Sequence, residues 1–393
     1  MGRCVYTDNY IISLLRSVIN STTPAEFSDD INWEHFIATA LEHHVSNMLW
    51  YAVERLEKKP PKEVCDLLSQ EHIKSLMRDA NQQAEAELII NELTGADIRT
   101  LPLKGYFIKR FYPSSDMRYM SDFDVLIDAD NAEKARAVLE GLGYSFEFCG
   151  KVHDNYIKKP VMHVEVHKYM MDDDMYDIAQ YYNATSGFLR GERVSDNSLE
   201  YTLSADEFYI YMISHAAKHY LTFGTGIISI MDIHIFLNKF GTELNYNYIN
   251  SELEKLRLTK LNQKLVALSD VWFGNGKSNK TLDEMSKYIL SSGSYGRLEN
   301  DVINKFLNKG NPESSLLSKK IKYFFFMIFP NVEYMSGKYP GIKSMPILLP
   351  FYWVRRWFSS IFFNRESIRI RLFSVLRTKK ESTDLHQQVT DRQ

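Results

Sequence analysis

Cysteine is scarce: Cys4, Cys65 and Cys149 lie scattered through 393 residues with neither disulfide nor metal-ligand spacing. That excludes a disulfide scaffold or a cysteine-held zinc centre and fits a reducing compartment. Long apolar runs are missing too. None approaches the ~20 residues that a membrane-spanning helix needs, and the opening MGRCVYTDNY has no apolar core of signal-peptide type. The cytoplasm is therefore the expected location. Neither sign of charge is in excess: 47 Lys and Arg stand against 50 Asp and Glu, a formal net charge of −3. No global field argues for nucleic acid as a partner, and no internal repeat is visible.

What is present is an ordinary globular composition, 45% hydrophobic and 25% charged. The length suits two domains, or one core with helical additions. Up to about residue 97 strand patterns are absent. Tyr10, Ile11, Leu14, Leu15 and Val18 recur at helical spacing, as do Phe36, Leu41, Val45, Met48 and Leu49. After Pro60-Pro61, residues 62–93 run without Pro or Gly and predict a long helix. The texture then changes. Residues 98–103 read as a short buried strand, 106–111 as a helix, and 122–127 as a second strand. Asp130 is the expected cap of a helix over 132–142 that Gly143 ends, and 144–148 and 163–167 are further strands. From about Ala205 helical patterns return over 208–220, 227–240 and 248–273, with loops at 275–280 and 291–295. The pattern predicts an α+β fold: a small mixed-sheet core over 98–200, between an N-terminal helical region (1–97) and a larger C-terminal helical region (201–380), with a disordered tail (381–393). No clear linker separates the helical regions, so they are expected to wrap the core.

The stretch that carries chemistry is Leu101 to Asp128, LPLKGYFIKRFYPSSDMRYMSDFDVLID. Asp122 and Asp124 lie on alternate residues entering a strand, so both carboxylates project from one face. Like charges so close call for a cation, and Mg²⁺ accepts one or two carboxylates together with substrate phosphates. Lys104-Gly105 stands at a strand-to-helix turn, where backbone N–H groups favour a phosphate. Arg118 offers a further positive charge. Glu165 adds a third carboxylate on the same strand face as His163 and His167. Phosphoryl or nucleotidyl transfer requires these parts. The same residues also allow plainer readings: a capped, solvated D-x-D turn, a transition-metal cluster of His163, Glu165 and His167, or half-buried polar histidines. Asp172-Asp173-Asp174 reads as a solvated loop or helix start. His215, Lys218 and His219 share a helix face, and Asp232 inside an apolar helix needs a partner. They either line a substrate site or form helix-packing pairs; His43-His44 reads as structural.

The order Leu-Lys-Gly, Tyr-Pro, Arg118-x-x-x-Asp122-x-Asp124-x-Leu, Gly143-Tyr144, then Glu165-x-His167 resembles the uncharacterised nucleotidyltransferase family of the polymerase-beta-like superfamily. His-Ala-Ala-Lys-His, followed by Gly226 and Asp232, resembles its C-terminal half. The resemblance spans about His44 to the Pro330 region. It implies a metal pair at Asp122 and Asp124 with Glu165 as third carboxylate, ligand and base. It also implies Mg²⁺ (Mn²⁺ as substitute) and transfer of a nucleoside monophosphate from a nucleoside triphosphate to a hydroxyl or phosphate acceptor. Lys104, Gly105, Arg118, His167 and Lys218 are the expected nucleotide- and phosphate-binding residues. Where the superfamily has Gly-Ser this chain has Lys104-Gly105, so a charge stands where a hydroxyl would have been. Such proteins accompany bacterial polysaccharide gene clusters, which makes a glycan or small molecule the expected acceptor rather than nucleic acid.

Two other readings stand beside this one. In the first, the fold is kept, the carboxylates are idle, and the helical half binds or regulates a partner. The second concerns the tail, where Trp353, Arg355, Arg356, Trp357, Phe358, Phe362 and Phe363 precede Arg365, Arg369 and Arg371. These aromatics are expected to cover the core of the helical half; the alternative is peripheral contact with anionic lipid at the inner membrane face.

Overall fold

The computed structural model describes residues 2–171, 176–184, 187–294, 296–308, 315–363, 373–376, 378 and 380–390. Four helices open the chain: α1 (Gly2–Ile19), α2 (Trp33–Glu42), α3 (Ser46–Val53) and the 34-residue α4 (Lys62–Gly95). The core follows as β1 (Leu101–Pro102), the one-turn α5 (Gly105–Ile108), β2 (Phe123–Leu126), α6 (Ala132–Gly141), β3 (Ser145–Cys149), β4 (His153–Lys158), β5 (Met162–His167) and α7 (Tyr176–Asn183). A small hairpin, β6 (Gly191–Arg193) and β7 (Tyr201–Leu203), leads into α8 (Ala205–Leu221), α9 (Ile227–Phe240), α10 (Tyr246–Lys255), α11 (Thr259–Phe273) and α12 (Lys280–Leu290). The chain ends with α13 (Leu298–Asn308), α14 (Leu316–Ile328), α15 (Val332–Lys338), α16 (Leu349–Phe363) and α17 (Lys380–Val389).

The five-stranded sheet has the order β1-β2-β5-β4-β3. Only β2 and β5 run parallel; the other neighbours are antiparallel. Alternation along β2 and β5 divides the sheet into two chemistries. Phe123, Val125, Val164 and Val166 join Ile89 and Leu93 of α4 and Leu139 of α6 in one apolar core. Asp124, Glu165 and His167 fall on the other face. A second core joins α1–α3 to α8–α12: Leu14, Phe36, Leu49, Ile213, Phe236 and Leu265 are fully buried in one cluster. Each such side chain contributes roughly 1.5–3 kcal/mol. Helices from both ends of the chain thus share this core.

Several boundaries differ from the sequence reading, each for a local reason. The segment 98–103 pairs with β2 only at Leu101 and Pro102, because Thr100 turns aside to exchange backbone hydrogen bonds with the β7 segment. The helix expected over 106–111 tightens into a 3₁₀ turn at Lys109–Phe111. Asp130 sits inside a 3₁₀ turn, and Asn131 precedes α6 without a side-chain cap. Strand β4 escaped notice because its sequence, HDNYIK, is largely polar. The pattern over 248–273 is two helices, parted where Arg257 takes a φ of 54°. α17 occupies most of the stretch expected to be disordered, with Leu385 and Val389 against the main core.

The tail aromatics divide their roles. The Trp353 and Trp357 indoles donate to Pro330 O and Ile328 O, each at 2.8 Å, locking α16 onto the end of α14. Phe325, Phe351 and Phe358 are 61%, 70% and 61% exposed. They do not cover a core. Asp172, Asp173, Asp174, Arg365, Arg369 and Arg371, and the side chains of Phe362 and Phe363, lie outside the described residues.

Candidate active site

The segment between α5 and β2 holds its shape because α3 and α4 satisfy its backbone. Asn47 Nδ2 and Ser75 Oγ donate to Asp116 O at 2.5 and 3.0 Å, and Gln82 Nε2 donates to Met120 O at 2.9 Å. Tyr51 donates to the Asp116 carboxylate at 3.0 Å, and Lys109 pairs with Asp79. These polar side chains are buried on helices whose other faces make the cores. Asp116 is an interior hub only 2% exposed. The segment thereby delivers Asp122 to the mouth of β2.

Parallel pairing sets Asp124 beside Glu165 and Leu126 beside His167; antiparallel pairing sets His153 beside His167. Asp122, Asp124, Glu165 and His153 line a cavity of about 350 Å³ whose far wall is α8 and α9. Asp124 Oδ1 accepts from Lys104 Nζ at 2.7 Å and lies 2.8 Å from His167 Nε2. His167 Nε2 also lies 3.2 Å from Glu165 Oε2. Asp122 accepts only from Ser121 Oγ, at 2.8 Å. Its pKa is pushed up to about 6 by burial and by the charge of Asp124, against the pull of Lys104. Burial works against the charged form of Asp124 as well, but Lys104 and His167 outweigh it and hold that carboxyl well below the usual range. The pair is therefore asymmetric, one carboxylate neutralised and one in want of a cation. An all-oxygen set of Asp122, Asp124 and Glu165 fits a hard ion such as Mg²⁺.

Lys104 reaches Asp124 from a left-handed conformation, φ 48° and ψ −117°. A non-glycine residue held there costs about 1–3 kcal/mol and is typical of functional sites. Gly105 beside it is needed for space: a Cβ would lie 2.6 Å from an Arg118 nitrogen. Arg118 is half-buried and forms a two-point pair with Asp232 of α9, at 2.9 and 3.4 Å, while Tyr112 donates to the same carboxylate at 2.6 Å. Asp232 thus has its partner. This pair ties the segment between α5 and β2 to the helical half, and Arg118 also lines the cavity.

On the far wall His215, Lys218 and His219 do share a face of α8 and line the cavity, with the two imidazoles 3.2 Å apart through their Nε2 atoms. Burial, then His219 and Lys104, hold His215 well below its ordinary value. His163 stands apart, exposed at the start of β5, and His153 takes its place in the cluster. Burial lowers the His153 pKa, keeping a neutral imidazole. HDNYIK, with its two apolar residues adjacent, offered no alternation that would have found it. His43 and His44 have separate roles. His43 is fully buried, accepting from Ile227 N at 3.3 Å and donating to Leu290 O at 3.1 Å. His44 stacks on Tyr119 at 4.1 Å on the cavity rim.

With the geometry in place, the chain was compared with known proteins. A family model described as uncharacterised nucleotidyltransferase matches residues 29–274, which contain the sheet, the cavity and α8–α11. No curated protein and no solved structure matches.

Proposed function

The chain belongs to the uncharacterised nucleotidyltransferase family, whose members are transferases of phosphorus-containing groups, and on that premise we propose an Mg²⁺-dependent reaction centred on Asp122, Asp124 and Glu165. One observation carries the reading: strand register aims Asp124 and Glu165 at one cavity that Asp122 also lines. The ion, when bound, would activate the attacking oxygen and offset charge on the leaving pyrophosphate. Lys104, held against Asp124 in the free protein, turns its charge to the triphosphate once that carboxylate is engaged. Backbone at Gly105 lies against the phosphates. Lys218 and His167 face them from α8 and β5. Glu165 takes the proton as the acceptor oxygen bonds to the α-phosphorus and the bond to pyrophosphate breaks. Arg118 acts at one remove, as the positioning partner of Asp232. The cavity volume and the chain's net charge favour a small molecule or glycan end as acceptor, in polysaccharide synthesis, over nucleic acid. The test is metal-dependent triphosphate binding that Asp122→Asn abolishes. Under the idle-carboxylate reading, binding is weak and indifferent to metal.

The C-terminal helices support a finer proposal for location. Among the described residues no helix is long and apolar enough to cross a membrane. Yet Phe351 and Phe358 of α16, Phe325 of α14 and Ile347 before α16 stand exposed, as do Lys322, Lys343 and Arg355. Glu333 is the sole acidic residue between 315 and 363, in a chain whose net charge is −3. Large aromatics with an excess of Lys and Arg suit an anionic bilayer surface. This face rests on the cytoplasmic leaflet and brings the cavity to a lipid-linked acceptor.

A further inference from the structure

A nitrogen-bearing cluster adjoins the carboxylate pair. His153 opens β4 directly opposite His167, with ring centroids 5.0 Å apart. Glu165 lies between them, Oε1 3.8 Å from His153 Nε2 and Oε2 3.2 Å from His167 Nε2. One ligand atom from each residue falls within 4.8 Å of the others, and among the described residues no other group of histidine, cysteine and carboxylate side chains meets that spacing.

The ring of His167 makes the spacing meaningful. Its Nδ1 lies 3.3 Å from Tyr169 O, and a carbonyl can only accept, so Nδ1 holds a proton. Its Nε2 faces Asp124 Oδ1 at 2.8 Å and Glu165 Oε2 at 3.2 Å. In a neutral ring that atom would aim a lone pair at two carboxylates. An ion held at that point would meet the imidazole nitrogen and both carboxylates together. Metal-ligating histidines commonly donate their other N–H to a backbone carbonyl, which fixes tautomer and ring orientation; Tyr169 provides that carbonyl. His153 adds a second imidazole, and its strand pairing presents it to the same point.

We infer that His153, Glu165 and His167 form a position for a divalent ion of the Zn²⁺ class, beside the Asp122–Asp124 pair and sharing Glu165 with it. Two imidazoles and a carboxylate are the donor set such ions favour, whereas Mg²⁺ takes oxygen. The inference deepens the transfer reading by giving the same cavity a second cation, and it can fail separately. The metal-stripped full-length chain is titrated with Zn²⁺ by calorimetry and with Co²⁺ by visible absorption. One ion per chain is expected, with the d–d bands of nitrogen ligation. His153→Gln should weaken both by at least ~100-fold, the upper end of what losing a mere supporting partner costs. His153→Cys keeps a zinc ligand, so binding should persist and gain a thiolate charge-transfer band. His163→Gln, on the same strand face but exposed, should bind as wild type does. No binding by the wild type, or binding indifferent to His153, overturns the position and leaves a proton on Nε2. Mg²⁺-dependent triphosphate stabilisation is recorded on the same wild-type sample. Its presence without a Co²⁺ spectrum removes this inference alone; its absence with the spectrum intact removes the transfer reading alone.

Discussion

Asp122 and Asp124 are two residues apart and face one cavity, yet their electrostatic loads are opposite. Asp124 neutralises Lys104 and is bonded to His167, so Asp124→Asn strands a half-buried ammonium. Breaking such a pair costs about 3–5 kcal/mol, and that variant confounds loss of metal with loss of fold. Asp122 has no such partner and suffers the repulsion of its neighbour. Asp122→Asn is therefore expected to fold at neutral pH with stability equal to or above wild type, and urea denaturation of the two variants side by side checks the contrast. His43 gives a pH prediction. Burial lowers its folded-state pKa from 6.5 despite the Leu290 hydrogen bond. As pH falls below that ordinary value the unfolded chain takes up the proton first, so the neutral ring's contribution fades there. His43→Gln should lose about 1–3 kcal/mol at pH ~7.5 through imperfectly paired buried groups. The gap to wild type should narrow toward pH ~5.5; a gap that widens would contradict the assignment.

At the scale of elements the decisive contact is the turn into α5 against the Arg118–Asp232 pair. Gly105→Ala would press a Cβ to within 2.6 Å of an Arg118 nitrogen and 3.2 Å of Met120 Cγ. Arg118 is held at two points and cannot step aside. The expected cost is about 1–3 kcal/mol of overpacking, read as a lowered urea midpoint with unchanged slope. The elements were legible where local signals were strong: α4 follows from a long run of helix formers without Pro or Gly, α8 and α9 from helical patterning, and the D-x-D strand from alternation. They were illegible where tertiary pairing decided. A polar strand such as β4 carries no hydrophobic signal, and its partner β5 alone makes it a strand. The same holds for Arg118. Sequence spacing offered its charge to phosphate, but nothing local revealed that Asp232, on a helix more than a hundred residues away, would take it. Asp124, Glu165 and Lys104 were visible as chemistry, while the bond between Lys104 and Asp124 depends on a strained turn that no pattern announces.

At the scale of the whole molecule, one core built from both ends of the chain supports the cavity, and the exposed aromatic face of α14 and α16 stands outside that core. Flotation with vesicles rich in anionic lipid should carry the protein upward at low salt. Phe351→Ser with Phe358→Ser should leave it at the bottom, and neutral vesicles should bind it weakly. Binding that ignores both changes would place the contact elsewhere, and self-association at that face would make the partner a second copy. The central claim rests on the cavity, and a thermal-shift series with ATP, CTP, GTP and UTP, each with and without Mg²⁺, on wild type and Asp122→Asn, tests it most directly. The account predicts that at least one triphosphate raises the wild-type melting temperature only with Mg²⁺, and that Asp122→Asn, equally stable by itself, shows no such rise. A rise that survives in Asp122→Asn or without metal, or no rise with any triphosphate, would contradict it.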